Sequence, residues 1–150
     1  MKKITPFLWF DDKAEEAMKF YTSIFKDSKK IDVWRKGTKV MATVFQLNGQ
    51  EFIALNGGPH YKFTHAISFF VRCKNQREID YYWEKLSNGG KKVQCGWLAD
   101  KYGLSWQIVP EALEDLLWNK NAKKKDRVWS ALMQMTKIEI TVLKQAAKQK

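Results

Sequence analysis

Apolar positions along this chain follow two rhythms, and the rhythms succeed each other in the same order twice. Ile4 to Phe10 reads as a strand that ends at Asp11-Asp12. A helix is expected over residues 12–26, where Ala14, Ala17, Met18, Tyr21, Ile24 and Phe25 recur at helical intervals and make one apolar face. Asp12 and Glu15 have capping-box spacing at its start. Three strand candidates follow: Ile31 to Arg35, Val40 to Leu47 and Glu51 to Leu55. Asn48-Gly49 is a strong hairpin turn between the last two.

The second pass has the same order. His65 to Cys73 reads as a strand, and Asn75 with Glu78 again has capping-box spacing. A helix over 76–88 carries the stripe Ile79, Tyr82, Trp83, Leu86, and Gly89-Gly90 can end it. Lys92 to Leu98 and Leu104 to Val109 read as strands, with a break near Gly96. The layout is β-α-β-β-β twice over, a structural repeat without sequence identity. Asn56-Gly57-Gly58-Pro59-His60 is the clearest linker between the halves. After Pro110 the pattern turns helical. Val128, Trp129, Leu132, Met133 and Met135 line one face, and Thr136 with Glu139 has the spacing of a further capping box. The expectation is one α+β domain over 1–150, with module 1 about 1–58, module 2 about 62–110 and C-terminal helices about 111–148. Those helices must bury their apolar faces on the domain or on a second subunit.

Composition narrows the class. The chain has 150 residues, 45% hydrophobic and 29% charged, which suits a globular domain and not a disordered one. A net charge of +11 raises nucleic acid as a partner. The excess is spread, however: +3 over 1–60, +4 over 61–110 and +4 over 111–150. The densest run, Lys123-Lys124-Lys125, meets Asp126 at once, and no nucleic-acid motif accompanies it. No nucleic-acid partner is therefore expected. No apolar run approaches the roughly 20 residues that span a bilayer, so no membrane partner is expected either. Met1-Lys2-Lys3-Ile4 passes directly into strand-like sequence without the apolar region of a secretory signal. Cys73 and Cys95 stand singly, which reads as reduced thiols in a cytoplasmic protein, with a disulfide as the alternative.

Three stretches resemble a known family. Ile4-Thr5-Pro6-Phe7-Leu8-Trp9-Phe10-Asp11, followed by Ala14-Glu15-Glu16-Ala17 and Phe20-Tyr21, resembles its opening motif. Leu55 to Phe63 is similar to its central motif, and Gln94 to Pro110 is similar to its closing motif. The family is the PhnB-like group, labelled "3-demethylubiquinone-9 3-methyltransferase", of the vicinal oxygen chelate (glyoxalase/bleomycin-resistance/dioxygenase) superfamily. The resemblance covers nearly the whole chain, C-terminal helices included. It implies paired βαβββ modules around a glyoxalase-like cup, a homodimer, and a small-molecule ligand. In metal-dependent members of the superfamily, His, Gln or Glu from the first and last strands of the modules hold a divalent ion.

By strand register those ligand positions fall on Thr5, Asn56, His65 and Gln107. Thr is a poor ligand for a catalytic first-row metal, and neutral amides are weaker than carboxylates. His65 and Gln107 remain the weak metal candidates, and no cofactor is expected. If Thr5 faces the cup, so do Phe7 and Trp9; Ser105 and Val109 accompany Gln107, and Ala54 and Phe52 accompany Asn56. The cavity candidates are thus Thr5, Phe7, Trp9, Asn56, His65, Ser105 and Gln107. Each has a plainer reading: Phe7 and Trp9 as core, His65 as a hydrogen-bonded strand-end residue. Asn56 to His60 could cradle an anion or simply turn the chain, His60 could move protons or be solvated, and Cys95 could be reactive or inert. A doubly wound S-adenosylmethionine enzyme has a glycine-rich turn after its first strand; here Asp11-Asp12 follows it. The function expected is small-molecule binding, with a lyase, isomerase or oxygenase activity as one extension. The alternative is non-catalytic sequestration of the bleomycin-resistance type.

Overall fold

The computed structural model describes residues 2–118 and 120–149. The chain divides between Phe63 and Thr64 into two compact units. Each contains one βαβββ module, and the module order expected from the hydrophobic pattern is the order observed.

In the first unit, β1 (Phe7–Phe10), α1 (Ala14–Ile24), β2 (Ser28–Lys36), β3 (Lys39–Leu47) and β4 (Gln50–Asn56) form a four-stranded sheet, order β1-β4-β3-β2. β1 runs parallel to β4; the other pairs are antiparallel. Alternation decides the two faces. Leu8 and Phe10 are buried with Phe45, Phe52 and Ala54 beneath the α1 stripe of Ala14, Ala17, Met18, Tyr21 and Ile24. Phe45 and Phe52 pair directly across the hairpin and stack at 5.4 Å. The hairpin turn lies where Asn48-Gly49 places it, with φ of 47° and 83°, both left-handed as a type I′ turn requires.

Two local expectations for this unit fail. The first strand begins at Phe7, not Ile4, so Thr5 precedes the sheet. Asp12 does not cap α1: its φ is 60°, and the N-cap is Lys13, which makes no side-chain bond. The Ala14 N–H instead donates to Oδ1 of Asn56 at 2.9 Å, from the end of β4. A long-range amide takes the place of the local capping box.

In the second unit, β5 (Phe69–Cys73), α2 (Gln76–Ser87), β6 (Lys91–Lys92), β7 (Trp97–Ala99) and β8 (Ser105–Pro110) repeat the topology as β5-β8-β7-β6. β6, β7 and β8 are shorter than their counterparts β2, β3 and β4. His65 to Phe69 is not strand: β5 starts at Phe69, and His65 sits in the turn before it. The stretch read as Lys92 to Leu98 is broken, as the glycine suggested, by Cys95 and Gly96 at φ 61° and 83°. The α2 cap is local, since Asn75 Oδ1 accepts the Glu78 N–H at 3.0 Å. The Glu78 carboxylate accepts from the Lys74 N–H at 2.8 Å. Buried Asp100 ties the β7–β8 hairpin, accepting from the Tyr102 and Leu104 N–H groups and, at 2.9 Å, from the Trp106 indole. That explains why Asp, Gly and Trp punctuate the closing motif.

Beyond β8, α3 (Glu111–Leu117), α4 (Ala122–Met133) and α5 (Ile140–Lys148) return to the same module. Val128, Leu132, Met135, Ile138 and Leu143 form a buried cluster with Val109 and Leu113. Backbone bonds reinforce it: the Cys95 and Gly96 N–H groups donate to the Met135 and Thr136 carbonyls, each at 2.8 Å. Gln76 spans the junction, donating to the Ile138 carbonyl and accepting the Ile140 N–H. The Thr136–Glu139 capping box is therefore not formed; Glu139 is the N-cap without a side-chain bond, and Gln76 satisfies the helix start. Lys137 pairs with Asp80 at 2.9 Å and holds that carboxyl below its ordinary range. Among the described residues no helix is long and apolar enough to cross a membrane.

Candidate functional site

The outer face of the second sheet is built by register. Phe70 pairs with Gln107, and Gln107 with Trp97, so the three side chains form one row across β5, β8 and β7. Arg72 and Val109 make the next row. The opposite face, with Trp106, Ile108 and Leu98, is buried and lies against α2. Helices α3 and α4 roof the outer face, and between roof and sheet lies a cavity of about 1080 Å³. Its floor includes Phe70, Arg72, Trp97 and Gln107, and its roof Leu117, Trp118, Trp129 and Met133. The lining exposes more apolar than polar surface, with aromatic walls and a set of polar and charged side chains among them, the ordinary character of a small-molecule site.

The polar groups are largely engaged. Arg72 lies over the Phe70 ring at 5.0 Å and donates to Glu114 of α3 at 2.9 Å, so floor and roof are joined by an ion pair. Nδ1 of His65 lies 2.7 Å from Oγ of buried Ser105. The imidazole also meets Trp97 edge to face, 6.0 Å between centroids. The Gln107 amide donates to Ser68 at 2.9 Å. Cys95 lines the cavity half-buried, its sulfur 4.0 Å from that of Met133. Cys73 is buried elsewhere, and burial, with Glu78 and Glu111 nearby, pushes its thiol up to about 12. Both cysteines are free.

The sequence candidates thus separate. His65, Ser105 and Gln107 come together in the second unit, with His65 and Gln107 on the cavity wall. Val109 lines the cavity beside Gln107, as alternation requires. In the first unit Phe7 and Trp9 share the outer face, but Asn56 does not join them. It pairs with Phe10 on the helix side, as Ala54 pairs with Leu8, because the parallel β1–β4 register sets those residues opposite each other. The Asn56 amide is used at both ends, toward Ala14 and the Val40 carbonyl. Thr5 makes only a 3.5 Å contact with the Lys2 carbonyl. Trp9 clasps the linker: its indole donates to the Gly58 carbonyl at 2.9 Å and meets Tyr61 edge to face at 5.0 Å. Gly57 packs so closely on that ring that a Cβ would overlap it, and its N–H donates to the Phe10 carbonyl. The glycine pair is a packed turn, and His60 is exposed beside it.

Sequence reasoning missed Phe70, Arg72, Trp97, Trp118 and Trp129 as site residues. The Trp129–Met133 stripe was visible, but periodicity cannot tell a stripe that enters a core from one that roofs a cavity.

The model of the 3-demethylubiquinone-9 3-methyltransferase family matches residues 2–109. The chain belongs to this family. The PhnB protein from Bacillus cereus is 38% identical, matched over 73% of this chain and 99% of its own, with a TM-score of 0.69. Two further structures share the fold at 16% identity. PA1353 from Pseudomonas aeruginosa is matched over 74% of this chain and 98% of its own, TM-score 0.61. The fosfomycin resistance protein FosX from Listeria monocytogenes is matched over 77% and 97%, TM-score 0.56. No curated protein sequence matches the chain. The family match ends at Val109, so it does not extend over α3–α5, in contrast to the motif resemblance. The roof of the cavity is supplied by the segment outside the family match.

The superfamily resemblance carried by the motifs raises a divalent metal. Among the described residues no group of three or more His, Cys, Asp or Glu side chains gathers to hold one. Of the mapped positions, Asn56 is committed to a helix start, Gln107 to Ser68, and only His65 offers a strong donor. This donor set does not fit a catalytic site of three strong ligands.

Proposed function

We propose that this chain is a small-molecule-binding protein of the glyoxalase fold and that its ligand sits in the cavity between the second sheet and helices α3 and α4. The observation that carries this is the cavity itself, about 1080 Å³ with aromatic walls and a mainly apolar exposed surface. Binding there draws on apolar burial at roughly 25 cal/mol per Å², with orientation supplied by His65 and Gln107. Non-catalytic retention, the sequestering alternative, suits a lining in which Arg72, Glu114 and Gln107 are already paired. One observation favours a catalytic extension, a lyase or isomerase: Ser105 holds one ring nitrogen of His65, which leaves the other to serve as acid or base. Methyl transfer from S-adenosylmethionine is not part of the proposal. Asp11-Asp12 follows β1 in place of a glycine turn, and each sheet is mostly antiparallel. We also assign the chain to the cytoplasm, on its two free thiols, and to a homodimer.

The test uses 6-propionyl-2-(dimethylamino)naphthalene, an uncharged fluorescent probe. Enhancement at one probe per chain is expected, abolished by Met133→Trp, which fills the cavity from a partly exposed position. A wild type without enhancement, or a variant that keeps it, contradicts the proposal. Calorimetry with S-adenosylmethionine should give no heat, and light scattering should give twice the chain mass.

A further inference from the structure

We infer that the segment after Val109 selects the ligand, and that it selects an uncharged planar aromatic ring system over a saturated one of the same skeleton; this rests on the cavity being the ligand site. Three indoles line that cavity. Trp97 comes from β7 and lies within the family match, whereas Trp118 and Trp129 come from the segment beyond it. The two added indoles are not needed to fold that segment. Its buried cluster consists of Val128, Leu132, Met135, Ile138, Leu143 and Ala147, with Val109 and Leu113. Trp118 is 84% exposed and Trp129 52% exposed, yet both line the cavity. Large aromatic surface left open to water around a concavity marks a place that something else covers.

The chemistry of the walls narrows what covers it. Indole and phenyl rings carry negative faces and positive edges, so they reward another flat π system beyond the area it buries. An aliphatic skeleton of equal size gains only the area. Trp118 and Trp129 on the roof and Trp97 and Phe70 on the floor offer such contacts from both sides. Charge argues for a neutral ligand. Arg72 is tied to Glu114 at 2.9 Å, and Lys125 and Asp126 enter the lining as neighbours of opposite sign. His65 and Gln107 add hydrogen-bonding capacity at the floor, which suits a ring bearing a hydroxyl or carbonyl.

The experiment compares 2-naphthol with decahydro-2-naphthol by calorimetry on the whole chain, wild type, Trp118→Leu and Trp129→Leu. Leucine keeps the apolar character and removes the π face. Both sites are exposed, and circular dichroism verifies the fold. The wild type is expected to bind 2-naphthol about tenfold more tightly than the saturated probe, a ratio that two or three aromatic contacts supply. Each leucine variant should bring the ratio down to about threefold or less, chiefly by weakening 2-naphthol. Equal affinities in the wild type, or a ratio untouched by both variants, overturn the selection while leaving the cavity as the site. Failure of both probes to bind, or binding that Met133→Trp leaves intact, overturns the cavity reading itself.

Discussion

The two units share one topology and finish it differently. Each sheet has the order first-fourth-third-second strand, with a parallel outer pair and a helix on one face. The first unit spends its length on strands: β2 and β3 have nine residues each. Its outer face carries Phe7 at 58% exposed and Trp34 at 53% exposed. The second unit has a β6 of two residues and a β7 of three, and of its three added helices α3 and α4 stand over its outer face. The cavity belongs to the second arrangement. Topology alone therefore does not decide where a cavity forms; what is appended to the topology does.

The sharpest way to break this contrast is at a glycine in each unit. Gly96 has φ 83°, and a Cβ there would stand 2.9 Å from the Ile108 carbonyl and 2.7 Å from Ile138. Gly96→Ala combines left-handed strain with overpacking where the tail is docked, so a loss of about 3 kcal/mol is expected in chemical denaturation. Gly57→Ala has no left-handed strain, but it must displace the Trp9 indole, for about 2 kcal/mol. Gly96→Ala should also abolish probe binding, and Gly57→Ala should not. If both variants spare the probe, the tail is not the roof that the ligand needs.

A smaller effect separates structural from ligand roles at the asparagines. Asn56→Ala and Asn75→Ala each remove a helix-start acceptor, and each should cost about 1 kcal/mol. Neither should change probe affinity. A weakened affinity in Asn56→Ala with an unchanged melting temperature would restore Asn56 as a ligand contact.

These cases explain what was legible in the sequence. Element order was, because apolar period and turn chemistry are local; Asn48-Gly49 and Asn75 with Glu78 read correctly for that reason. Caps that depend on distant partners were not. Asp12 with Glu15 and Thr136 with Glu139 have the right spacing, but Asn56 and Gln76 arrive from elsewhere and take the helix starts. The site was half legible. Alternation along β8 placed Gln107 and Val109 on one face correctly. The same rule placed Asn56 wrongly with respect to Phe7 and Trp9, because its side depends on how β1 and β4 align. Trp118 and Trp129 were invisible as site residues, since only the fold brings the tail over the second sheet.

The mildest prediction concerns the thiols. With its thiol pushed up to about 12 by burial, Cys73 stays protonated through pH 9 and is sealed from reagent. Cys95 stands half-buried at the cavity. Native protein should release one equivalent with a disulfide reagent at pH 8, slowed by 2-naphthol, and unfolded protein two. Two fast equivalents in the native state would contradict the burial of Cys73.

The central claim is that the ligand occupies the second unit's cavity, and the seven tryptophans report on it directly. Indole N–H resonances in a nitrogen-15 correlation spectrum can be followed while 2-naphthol is titrated. Saturable shifts are expected at Trp97, Trp118 and Trp129, with Trp9 and Trp34 unmoved. Shifts at Trp9 and Trp34 with the three cavity indoles silent would contradict it.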